Sequence, residues 1–427
     1  MVCLDLRYRP RLTKHGSSAW STCVALAALL LAGGLRPLVA AAADAGAAYE
    51  KPPVLQASAL VGDLPTSGPG YQIDAQVPTD GLMGHFTIRS GERTFEALGV
   101  ATLAMRIAEI QAILELEKTS KTDVFVKAAA QAAERPVNAA VNMARHPVDT
   151  VSGLPAGVGR FFDRVQTGAK SFTEQKREGE PGLAKSVGKT SADALGYEQE
   201  RRRLAKQLRV DPYTTNEILA KKLDDVAWVA FSGRVGVSVA VSVVVPGSMA
   251  ISGTTMVNDL VWDTPPGDLV NRVNAKLDAM GVAEEKKRAF TGNRHIPLSL
   301  QATIVLALDR LSGVRGRPEL IALAASVQSE DQARYVARGL EMLARHHETV
   351  PLASVSGRGT IVARQRDGTI VVPAAVDYVS WTERVARFAR RDDLKATKRE
   401  IWLSGRVSPT TRRHLETMGW KITDEVS

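Results

Sequence analysis

Both cysteines of this 427-residue chain, Cys3 and Cys23, lie near its start. Around them Arg7, Arg9, Arg11 and Lys14 precede an apolar run from Val24 to Leu35, and a small-residue stretch from Val39 to Ala47 follows. That is the order of a secretory leader, and the apolar run is shorter than the ~20 residues that span a bilayer. Residues 1–43 are therefore read as a cleavable signal peptide, with Ala41-Ala42-Ala43 and Ala43-Asp44-Ala45 as candidate cleavage sites. The chain beyond them carries no thiol. It must hold its fold without disulfides or cysteine-bound metal, and so must bury apolar surface in quantity.

Composition allows this, since 44% of residues are hydrophobic and 24% charged, enough for more than one core. The formal charge of +9 shrinks once the leader is removed: residues 1–43 hold five basic and one acidic residue, which leaves 50 basic against 45 acidic. An excess of this size does not indicate nucleic-acid binding. The expected location is periplasmic, envelope-associated or secreted.

Residues 44–94 are rich in Pro and Gly and read as extended chain, expected to lie across another domain, followed by the hairpin "HFTIRSGERTFEAL". From Thr94 to Lys118, Phe95, Leu98, Leu103, Ile107, Ile110 and Ile113 recur at helical spacing. A second helix is expected to be capped near Ser120, in "SKTD". The polar, glycine-laced stretch 174–196 reads as a linker. Beyond it, "YEQERRRLAKQLRV" suggests a helix with a solvated face at Arg201–Arg203. A turn at Asp211-Pro212, a cap at Thr214 with Glu217, and further helices from 297 to 347, the last capped by Ser329 with Gln332, complete a helical domain. In the C-terminal part, two β-branched runs flank Asp367-Gly368, a cap is expected at Ser380, and "REIWLSGRVSPTTRRHLETMGWKITDE" reads as strand, helix, strand with Ser408 as N-cap.

The resulting fold class is mainly α with a small C-terminal α/β unit: a multi-helical body preceded by an N-terminal extended and hairpin segment. The expected divisions are a signal peptide (1–43), an extended segment and hairpin (44–94), an amphipathic helical segment (95–173), a linker (174–196), a helical domain (197–350) and a small α/β domain (351–427).

One segment carries a functional signal. From Val137 to Phe172, apolar or small residues recur in alternating steps of four and three, although Pro147 and Pro155 break any continuous rod. Burial against the core is the commoner fate of such a stripe. The functional alternatives are a membrane surface or a partner groove, for which Val148, Val151, Val158, Phe162 and Val165, flanked by Arg160 and Arg164, form the candidate face. A second apolar window, residues 235–258, alternates valine with small residues and contains Pro246-Gly247, which favours a buried core element over a membrane span.

Catalytic patterns are weak. "GLAKSVGKTS" resembles a phosphate-binding loop, but Gly182 and Gly188 enclose five residues where that loop has four. Ser186 and Lys189 form an S-x-x-K inside the linker, with no companion motif. His346 and His347 read as surface residues at a helix end, and Asp392 and Asp393 as a solvated turn. No catalytic, cofactor-binding or metal-ligating residue is assigned, and no cofactor is expected. The sequence favours an exported, non-enzymatic scaffold or interaction protein, peripheral on a membrane surface through residues 135–172 or bound to an envelope protein. An extracytoplasmic hydrolase with an unrecognised site, and a membrane-inserting effector using residues 235–258, remain as alternatives.

Overall fold

The computed structural model describes residues 49–133, 196–233, 236–239 and 255–426. The candidate face formed by Val148, Val151, Val158, Arg160, Phe162, Arg164 and Val165 lies outside the described residues, as does most of the linker at 174–196.

The N-terminal region is built of strands. β1 (Val54–Gln56) leads into the single turn α1 (Ala57–Leu60), and β2 (Ser67–Gly68) and β3 (Tyr71–Ile73) follow. β4 (Gln76–Pro78) returns antiparallel to β1. β5 (His85–Ser90) and β6 (Arg93–Leu98) complete an antiparallel sheet in the order β2-β3-β5-β6. In β5, Phe86 and Ile88 are buried while His85 and Arg89 are exposed, the period of two that turns one face to the core. Gly99 then adopts φ +85°, which ends β6 and delays α2 (Val100–Ser120). The helix expected from Thr94 thus begins six residues later, and Phe95 and Leu98 belong to the strand. α2 runs through the first core with Leu103, Ile107, Ile110, Ile113 and Leu116 buried. α3 (Asp123–Ala133) is capped by Thr122, whose Oγ1 accepts from the Phe125 N–H, whereas Ser120 donates back to the Glu117 carbonyl.

A helical body follows. Residues 196–208 form α4, then come α5 (Glu217–Gly233), α6 (Thr255–Asp263), α7 (Pro266–Ala279), α8 (Glu284–Thr291), α9 (Leu298–Arg310), α10 (Arg317–Ala325) and α11 (Glu330–Thr349). Arg201–Arg203 do not form a solvated face. Arg201 donates to Asp224 on α5 at 2.6 Å and to the Pro212 carbonyl, and Arg202 is buried. Opposing carboxylate and carbonyl groups, absent from the local pattern, turn this side of α4 inward. The cap of α5 is Asn216, whose Oδ1 accepts from the Leu219 N–H, because Thr214 is engaged elsewhere. The cap of α11 forms as expected: Ser329 Oγ accepts from the Gln332 N–H at 3.2 Å, and Gln332 Oε1 accepts from the Gln328 N–H. In the apolar window, Val237 and Val239 are buried between exposed Gly236 and Ser238, and residues 240–254 lie outside the described residues. Among the described residues, no helix is long and apolar enough to cross a membrane.

The C-terminal sheet has the order β13-β11-β9-β8-β7. β7 (Leu352–Ser356), β8 (Val362–Gln365) and β9 (Ile370–Ala374) form an antiparallel meander, turning from β8 to β9 at Asp367-Gly368 with Gly368 at φ +89°. After the short β10 (Tyr378–Val379) and α12 (Glu383–Ala389), β11 (Arg399–Leu403) lies parallel to β9. β12 (Arg406–Val407) pairs with β10, and α13 (Pro409–Thr417) leads to β13 (Trp420–Thr423), parallel to β11. The run Ile370–Ala374 is buried throughout because both faces are covered. Val371 joins the core shared with α11, and Ile370 and Val372 join the core under α12 and α13. The cap of α12 is Thr382, not Ser380; Ser408 caps α13 as expected.

The expectation of a mainly helical chain is therefore overturned. The described residues contain four sheets, two in the N-terminal region and two in the C-terminal region, so the protein is a mixed α and β fold. Its N-terminal strands are only two to six residues long and sit among Pro and Gly turns. Strands of two or three residues, as β1 to β4 are, show almost no alternation, and pairing across the sheet, which no local pattern records, is what stabilises them.

Candidate functional site

Three polar constellations join distant parts of the chain, and two of them are closed. The first surrounds residues 211–216. Asp211, 4% exposed, accepts from the Tyr213 N–H at 2.8 Å and from the Ser299 hydroxyl near the start of α9. Burial outweighs these bonds and pushes its carboxyl up to about 6. Glu109 on α2 accepts from Arg106 at 2.6 Å, Thr214 at 2.6 Å and Asn216 at 2.9 Å. Glu330 at the start of α11 is partnered by Thr215 and Arg334. One loop is thereby clamped to three helices. Ser299 and Asp211 superficially suggest a nucleophile and its partner, yet Ser299 is fully buried and no substrate reaches it. The adjacent cavity, near Thr102, Thr303, Arg334 and Arg338, has a volume of about 30 Å³, room for a couple of water molecules and no more.

The second constellation fastens the extended N-terminal segment to the C-terminal sheet. Glu50 donates its N–H to the Trp381 carbonyl at 2.8 Å, and its Oε2 accepts from the Trp381 N–H at 2.5 Å and the Ser408 hydroxyl at 2.5 Å. Burial works against the charge, but hydrogen bonds from Ser408, Trp381, Thr410 and Thr411 prevail and hold the carboxyl below its usual range. The start of α13, where these hydroxyls sit, adds a favourable dipole. In the reverse sense, Asp377 accepts from the Gly84 N–H at 2.9 Å and the Val100 N–H at 3.0 Å, and so caps α2 across 277 residues. Gly99, at the N-cap position of α2, has no side chain to do this.

The third constellation is open. A groove of about 390 Å³ lies where the edge strand β7 meets the loop before α10. It is lined by Arg315, Ser354, Ser356, Arg358 and Arg364 together with half-buried Val362. The loop is held against the strand by backbone bonds, Arg315 N–H to the Ala353 carbonyl and Val355 N–H to the Arg315 carbonyl. Gly316, at φ +91°, makes that approach possible, since a Cβ there would collide with the Val355 carbonyl. Its position at the N-cap leaves α10 without a side-chain cap. Arg315, Arg358 and Arg364 are exposed and form no ion pair among the described residues. Arg364 donates to the Gly368 carbonyl. The acidic residues of the groove are Glu319 and Asp393. Arg391 holds Asp393 in a two-pronged pair at 2.6 and 2.9 Å and lowers its carboxyl below the usual range, an effect to which Arg358 adds. Arg391 lies outside the lining and its pair neutralises Asp393, which leaves Arg315, Arg358 and Arg364 against Glu319, a net charge of +2.

Sequence reading missed this groove. Arg315, Arg358 and Arg364 are isolated residues in different elements; Asp392 and Asp393 are exposed in a short turn, as read from the sequence, with Asp393 also paired to Arg391. The only available signal was the excess of arginine in 315–366, which has no periodicity. His346 and His347 are also not free surface residues: His346 packs on Trp402 with ring centres 3.9 Å apart, and His347 Nδ1 accepts from the Leu352 N–H. No family model, curated protein or solved structure matches the chain, so its site stands on its own geometry.

Proposed function

We propose that the chain is an exported, envelope-associated interaction protein that engages an anionic partner through the groove at Arg315, Arg358 and Arg364. The observation that carries this reading is the groove's net charge of +2, held on exposed guanidinium groups around an open concavity. Elsewhere the carboxylates of buried Glu109 and Asp211 and of half-buried Glu330, Glu50 and Asp377 tie loops and helices together. The leader-like order of residues 1–43 supports export. An anionic lipid surface fits both the charge of the groove and the amphipathic stripe of residues 135–172.

The test is flotation of the protein with vesicles rich in phosphatidylglycerol against vesicles of phosphatidylcholine alone. Binding to the former, weakened by salt and lost in an R315A/R358A/R364A variant, is the expected result. Equal flotation with both vesicle types, or binding untouched by the triple substitution, removes the groove from the mechanism. Recovery of full-length protein beside cytosolic markers after cell fractionation refutes export.

A further inference from the structure

We infer that the groove takes a phosphomonoester, a phosphate dianion carrying one organic group. The inference rests on the reading of the groove as an anion site, and three features of its walls select within that class.

Charge is the first. Arg315, Arg358 and Arg364 stand against Glu319, Asp393 being neutralised by Arg391 outside the lining, and the surplus of two positive charges matches a phosphomonoester, which carries about −1.5 to −2 at neutral pH. A carboxylate or a phosphodiester brings a single charge and leaves the surplus half neutralised.

Donor geometry is the second. Arg315 precedes α10, Arg358 lies in the turn between β7 and β8, and Arg364 is on β8, so guanidinium groups reach the groove from three separate backbone positions. A planar carboxylate is satisfied by one guanidinium fork, whereas the three terminal oxygens of a phosphate accept from several donors at once. Ser354 and Ser356 add hydroxyl donors.

Size is the third. A volume of about 390 Å³ exceeds what a bare phosphate fills and falls in the range of small-molecule sites. Val362, half-buried beside Arg364 on β8, supplies an apolar contact for the attached organic group. The monoester has two natural sources, a soluble sugar or glycerol phosphate and a lipid with a terminal phosphate headgroup.

The experiment uses the full chain. Calorimetric titration with glycerol 3-phosphate, inorganic phosphate, succinate and acetate tests the soluble source, and flotation with phosphatidic acid against phosphatidylglycerol vesicles tests the lipid source. Glycerol 3-phosphate or phosphatidic acid should bind about tenfold or more tightly than the dicarboxylate, monocarboxylate or diester counterpart. Single R315A, R358A and R364A substitutions should each weaken that binding about tenfold, with thermal midpoints unchanged because these side chains are exposed. R288A, on the exposed face of α8, should leave it unaltered. Binding of phosphatidic acid alone supports the inference and assigns the lipid source; binding of glycerol 3-phosphate alone supports it and assigns the soluble one. Equal binding of succinate or acetate overturns the monoester assignment while the anionic-partner reading stands. Binding of no anion in any arm overturns both, and monoester binding indifferent to the three arginines overturns the location.

Discussion

Replacing Asp211 with asparagine should stabilise the protein at neutral pH and have little effect in mild acid. Burial raises this carboxyl from 3.8 to about 6, against the hydrogen bonds from Ser299 and Tyr213. The difference corresponds to about 3 kcal/mol of preference for the neutral form in the folded state. Above pH 6 the group is ionised both folded and unfolded, so the folded protein bears that full burden. As pH falls from about 6 towards 3.8, the folded carboxyl takes up its proton while the unfolded one stays charged. The folded state then binds more protons, and the contribution of Asp211 to stability improves with acid. Asparagine is neutral throughout and fits the same contacts, with Oδ1 accepting from the Tyr213 N–H and Nδ2 donating to the Ser299 hydroxyl. Urea unfolding of wild type and D211N between pH 4 and 8 should show the variant ahead by up to about 3 kcal/mol at the upper end, the gap closing on acidification. A gap that does not change with pH, or one that widens in acid, refutes the argument that desolvation governs this site.

Three further substitutions probe the long-range fastenings. Glu50→Ala should remove the clasp at Trp381 and Ser408, destabilise by about 1–3 kcal/mol and speed proteolysis near residues 49–54. Because the folded carboxyl titrates below the ordinary glutamate value of 4.5, the clasp is at full strength above that pH and weakens as pH falls through the lower folded value, which proteolysis across the acid range will read. Asp377→Ala leaves the amides of Gly84 and Val100 unpaired and should lower stability by about 2–4 kcal/mol in thermal unfolding, with Asp377→Asn recovering part of the loss. Gly316→Ala forces a side chain onto the Val355 carbonyl in a left-handed backbone, and should destabilise by about 1–3 kcal/mol and loosen the groove, measured as faster amide exchange along β7.

Local chemistry made several elements legible in advance. The Ser329 and Ser408 caps, the turn at Asp367-Gly368 and the hairpin over 85–98 each depend on groups within a few residues of one another, and each formed where the pattern placed it. Other local signals had competitors. Ser120, Thr214 and Ser380 had the right chemistry for caps, but Thr122, Asn216 and Thr382 each lay two residues closer to the true helix start. The arginines of α4 looked solvated until Asp224 and the Pro212 carbonyl were brought beside them.

The order of residues by itself determined the leader-like start, the thiol-free remainder, the helices near 197–233 and over 297–347 and the strand-helix-strand close of the chain, since periodicity, caps and turns act over one or two turns of backbone; the helices between 255 and 291 carried no such signal. Tertiary structure alone decided that the ends are as much sheet as helix, that a carboxylate 277 residues away caps α2, and that three unrelated arginines surround one groove. Pairing between short strands and convergence of isolated charges are set by distances in space, and distance along the chain carries no record of them.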